Sequence, residues 1–138
     1  MAVAAAHSSF SARRALEADL SRMAALVESQ LQAAISAFER RDVTAAESLI
    51  ANDQRIDEFD RDIETSIMAL LGAGPLPEEA LREVMTIMKL TGELERVGDL
   101  AKNTAKRVFA IEGNFAAQRL VGGVEHISEM SLAQLKQV

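Results

Sequence analysis

Two sets of carboxylates stand out as residues that could do chemistry. Asp53, Asp57, Asp60 and Glu64 follow one another at steps of four, three and four, and Glu95 and Asp99 stand four apart. At about 100° per residue, the first set falls within a helical band about 60° wide, and the second pair shares one face. Like charges at that spacing repel by about 0.2–0.5 kcal/mol. A shared cation is the chemistry such a pattern suggests. Carboxylate oxygens suit hard cations or iron; there is no cysteine, and the two histidines, His7 and His126, lie far from both sets in sequence. The plain alternative is ordinary ion pairing, worth about 0–1 kcal/mol for each exposed pair. Arg61 is within reach of Asp57 and Glu64, and Arg96, Lys102 and Lys106 surround Asp99.

The elements that must position these acids are helices. Among 138 residues, 49% are apolar, only 7 are Gly and 2 are Pro, and the aromatics are 5 Phe with no Trp or Tyr. Such usage predicts an all-α protein with enough apolar surface for one core. The net charge of −6 argues against nucleic acid as a partner. No apolar run approaches the roughly 20 residues that span a bilayer, and the run before His7 is too short for a signal segment, so the expected location is the cytoplasm.

Apolar residues recur at Leu16, Leu20, Met23, Val27, Leu31, Ala34 and Phe38, which predicts a first helix over residues 9 to 40. Asp42 is placed to cap a second helix that buries Leu49, Ile56, Ile63, Ile67 and Leu70. The run from Gly72 to Pro77 ends it. A third helix opens with Glu78 and Glu79, where the dipole favours negative charge, and carries Val84, Ile87, Leu94, Val97, Ala101, Ala105 and Val108 to about residue 112. Met85 and Met88 sit at helical spacing and read as packing. After Gly113 and Asn114, a fourth segment carries Leu120, Val124, Ile127, Ser131, Leu135 and Val138. Shifting it back by 104 positions sets Leu120 on Leu16, Ile127 on Met23 and Leu135 on Leu31, a faint repeat. The expected architecture is an antiparallel three-helix bundle over residues 8–112, with residues 113–138 as the first helix of a second, incomplete bundle.

The short turn near residues 73 to 76 makes helices two and three a hairpin in which residue numbers summing to about 149 lie level. Asp53 with Asp57, and Glu95 with Asp99, then occupy nearly one level, rotated in the same sense from their core stripes. They turn toward one shared groove or away from each other, according to the hand of the bundle.

The chain resembles the PhoU family of bacterial phosphate regulation. The resemblance rests on Asn52-Asp-Gln-Arg-Ile-Asp57 and Glu95-Arg-Val-Gly-Asp99-Leu-Ala-Lys-Asn103, similar to that family's Asp-x-x-x-Asp and Glu-Arg-x-x-Asp-x-x-x-Asn helices. His7 shortly before Phe10, the Arg40-Arg41-Asp42 junction and Glu112-Gly-Asn-Phe115 add to it. It implies tandem three-helix bundles that bind iron clusters or other metals, with zinc, magnesium, manganese and nickel as candidates. Asp53, Asp57, Glu95 and Asp99 would be the ligands, Asp60 an extra one, and Asn103 a motif position. It also implies a regulator without catalysis that couples a phosphate transporter to a sensor histidine kinase at the inner face of the membrane. The departure is length, since the family carries a second set of acidic motifs. The apolar stripe of helix four needs cover, which points to a homo-oligomer or to packing across the first bundle.

Two other readings compete. Di-metal bundle enzymes use inward Glu-x-x-His pairs, which this chain lacks, and no Gly-rich phosphate loop is present. A metal-free helical module whose acidic face meets a basic partner is the other.

Overall fold

The computed structural model describes the backbone of residues 2–111 and 118–137, and side chains over 8–111 and 123–137. The fold is all-α across those residues: α1 (Ala2–Arg40), α2 (Val43–Asn52), α3 (Gln54–Gly72), α4 (Glu78–Ala110) and α5 (Gln118–Lys136). The first helix begins earlier than expected, at Ala2, because the alanine-rich start favours helix even without an apolar seam. The motif residues 112–115, the side chains of His7 and Leu120, and Val138 lie outside the described residues. Among the described residues no helix is long and apolar enough to cross a membrane.

The three long rods, α1, the α2/α3 pair and α4, pack against one another as an antiparallel bundle. Their inward stripes meet in a core of Leu16, Met23 and Val27 from α1, Ile56, Ile63, Ile67 and Leu70 from α3, and Val84, Ile87 and Leu94 from α4. Toward the far end the residues shrink to Ala37, Ala46 and Ala105 with Val108, and small side chains let short α2 fit between α1 and α4. The Asp42 cap forms as read: its carboxylate accepts from Ala45 N at 3.0 Å.

The expected second helix is in fact two. At Asp53 the ladder slips by one residue, and Ile56 N donates to Asp53 O at 3.1 Å. The Asn52 carbonyl instead accepts from the buried Gln30 amide of α1 at 3.4 Å. A partner on another helix thus takes the backbone acceptor that the slip leaves free. Only tertiary contact supplies such a partner, which is why the apolar period gave no sign of the break.

α5 lies along α1. Leu135 packs onto the main core and Lys136 Nζ stands 3.2 Å from Glu28 Oε1. Ile127 and Met130 remain exposed.

Candidate functional site

Three observations set the register of α3 against α4. Lys102 Nζ donates to Asp53 Oδ2 at 2.5 Å. A Cβ on Gly98 would stand 2.8 Å from Ile56 Cδ1, so the backbones approach closely there. Among the charges that act on Glu95, that of Asp60 is foremost. Residues whose numbers sum to about 155 therefore lie level, not the 149 read from the turn. Ala73 to Pro77 all lie outside helix, and a turn centred there would still give a sum of about 150, so the close packing of Gly98 on Ile56, and not the turn, sets the register.

With that register the acids turn toward a shared groove. Partial burial raises the Glu95 carboxyl above its ordinary range, and the negative charges of Asp60, Asp99, Asp57 and Asp53 raise it further. Asp60 is raised by burial and then by Glu64 and Asp57, against the opposing charge of Arg61. Mutual repulsion across two helices shows that Asp53, Asp57, Asp60, Glu95 and Asp99 share one electrostatic field.

The positive charges fall differently from the sequence reading. Lys102 was expected beside Asp99 as a surface partner; it reaches across to α3 and pairs with Asp53, whose side chain is only 8% exposed. The Lys102 ammonium is held protonated above its usual range by that hydrogen bond and by the charges of Asp53, Asp57 and Asp99. Arg96 turns away to Glu93 at 3.2 Å. The signal for Lys102 was available: it stands seven residues after Glu95 and three after Asp99, on the same helical stripe. Asn103 and His126 are exposed.

The donors suit a hard cation, but their present spacing does not gather them. Among the described residues no three His, Cys, Asp or Glu side chains come close enough together to hold a metal ion. One oxygen of Asp53 is committed to Lys102. Ion capture by this set therefore needs side-chain rotation and release of Asp53 from the lysine.

Fold and site together define an all-α bundle protein with an acidic interhelical groove. The family model described as "PhoU domain" matches residues 20–108, from within α1 almost to the end of α4. The chain belongs to the PhoU family. It is 38% identical over 120 residues to a "Phosphate-specific transport system accessory protein PhoU homolog" of Rhizobium meliloti (strain 1021), covering 86% of this chain and 50% of the relative. Proteins of the same description from Xylella fastidiosa (strain 9a5c) and Caulobacter vibrioides (strain NA1000 / CB15N) are 36% and 31% identical, over 70% and 89% of this chain and 40% and 54% of their own lengths. The chain thus spans about half the length of the curated relatives it matches. No solved structure matches it.

Proposed function

We propose that this chain serves as an accessory regulator of phosphate transport, working as an adaptor and not as an enzyme. It would link a phosphate transporter to a sensor histidine kinase in the cytoplasm and restrain the starvation response when phosphate is plentiful. The observation that carries this reading is the family match across the bundle, together with relatives named for a phosphate-specific transport system. Co-purification with the transporter and kinase components tests it. Retention of both is expected, and loss of both under mild salt refutes the adaptor role.

The same reading makes the α3/α4 groove a cation site, with Asp57, Glu95 and Asp99 as ligands, Asp60 beside them, and Asp53 joining once Lys102 lets go. A bound ion would neutralise the groove's carboxylates; iron is first by family resemblance, with zinc, magnesium, manganese or nickel as alternatives. Elemental analysis of protein purified without chelator is expected to show metal that Asp57→Asn and Asp99→Asn both remove. Unchanged metal in both variants, or none in the parent, rejects the site and leaves the adaptor role standing. The Lys102–Asp53 pair favours a second reading, in which the lysine is the groove's resident cation and the module works metal-free.

A further inference from the structure

The acidic stripes do not end with the acids. From Asp53, just before α3, the positions Asp57, Asp60, Glu64, Met68 and Leu71 continue one row along that helix at steps of three and four. On α4 the row runs Leu81, Met85, Met88, Gly92, Glu95 and Asp99. In the observed register Met68 lies level with Met88 and Leu71 with Met85, so one groove is apolar at its loop end and anionic at the other. The sequence reading of Met85 and Met88 as packing is overturned. They are 43% and 46% exposed, alongside Met68 at 65%, while the neighbouring core stripe of Val84, Ile87 and Ile67 takes the burial.

We propose that this groove docks an amphipathic helix of a partner protein, basic over one half and apolar over the other. Charge complementarity names the occupant: Asp57, Asp60, Glu64, Glu95 and Asp99 face the anionic half, while Lys102 is committed to Asp53 and Arg61 acts on Asp60 alone among the groups raised there. Exposed methionines give the other half an adaptable apolar surface, suited to a helix laid in a groove. The row from Asp53 to Leu71 is about 27 Å long at about 1.5 Å per residue, which matches about five turns of a bound helix.

Gly92, at the junction of the halves, is an independent sign. A Cβ there would meet nothing within 4 Å, so the bundle itself has no need of glycine in mid-helix, where glycine weakens the helix. Its missing side chain leaves room for a second helix to approach closely. A metal ion has no use for this gap or for the apolar half, and an anionic membrane is repelled by the acids.

The proposal depends on neither the phosphate assignment nor a bound ion, so the assay is run in EDTA. Fluorescence anisotropy compares two labelled peptides of about 18 residues and equal Lys/Leu/Ala composition, one with its lysines gathered in one half of the helix, the other with them spread evenly. The segregated peptide is expected to bind at least about tenfold more tightly. Gly92→Leu and Met88→Lys are each expected to weaken it by about tenfold while the melting temperature holds or rises, since a Cβ at the half-buried Gly92 meets nothing within 4 Å, Met88 is exposed, and both replacements are better or equal helix formers. Asp60→Asn is expected to weaken binding and flatten its salt dependence. Equal affinity of the two peptides, or indifference to Gly92→Leu and Met88→Lys, overturns the proposal. So does sedimentation showing a dimer that Met88→Lys dissociates, which assigns the groove to a second copy. Binding to phosphatidylcholine vesicles that Gly92→Leu abolishes assigns it to lipid and overturns it equally.

Discussion

A methyl group at position 98 would stand 2.8 Å from Ile56 Cδ1 and 3.4 Å from its Cγ2. Ile56 is almost wholly buried and cannot swing aside without disturbing the core around it. Overpacking of this kind costs about 1–3 kcal/mol. Alanine in place of glycine returns about 0.5–1 kcal/mol through helix propensity. Gly98→Ala is therefore expected to destabilise by up to about 2.5 kcal/mol. Gly92→Ala, six residues earlier on the same helix and free of contacts, should stabilise by about 0.5–1 kcal/mol. For a domain of this size that opposition separates the two melting temperatures by several degrees, about 3–5 °C per kcal/mol. Urea denaturation with an unchanged slope would confirm that stability and not compactness has moved. Ile56→Val removes the offending Cδ1 atom. Alone it should cost about 0.5–1.5 kcal/mol, and in the Gly98→Ala background clearly less, by a coupling of at least about 0.5 kcal/mol. Equal shifts for the two glycine variants, or equal cost of Ile56→Val in both backgrounds, would refute the reasoning. The consequence reaches the site, because the close approach at Gly98 holds the Asp53–Asp57 and Glu95–Asp99 rows across one groove.

Lys102→Gln leaves the Asp53 carboxylate buried without its cation and should cost about 1–3 kcal/mol by chemical denaturation, with Lys102→Arg retaining part of the loss. Asp42→Ala removes the acceptor for Ala45 N and should lower stability by about 1 kcal/mol. Glu95 and Asp60 have folded-state pKa values raised by burial and by their neighbours, so their ionisation opposes folding. The opposition is full above the raised values and vanishes as pH falls below the unfolded ones. Glu95→Gln should accordingly raise the melting temperature at pH 7, with the advantage gone below about pH 4; a lower melting temperature at pH 7 would contradict the shared field.

The sequence by itself determined what depends on neighbours along the chain. The helical runs, the Asp42 cap, the break at residues 72–77, the inward residues such as Ile63 and Ile67, and the placing of Asp57, Asp60, Glu95 and Asp99 on helix flanks all follow from a period of 3.6 and local capping chemistry. The order and spacing of the acids also sufficed for the family resemblance, which the match over residues 20–108 bears out. Only the tertiary structure decided what depends on how two helices are set against each other. The hand of the bundle turned both acidic rows into one groove, and the Gly98–Ile56 contact fixed a register that places Lys102 on Asp53. The slip at Asp53 required an acceptor's partner from α1. Exposure of Met85 and Met88 was hidden for a related reason: near the loop the row Leu81, Met85 and Met88 is as apolar as the adjacent Val84 and Ile87, and only the packing of the helices leaves that row uncovered.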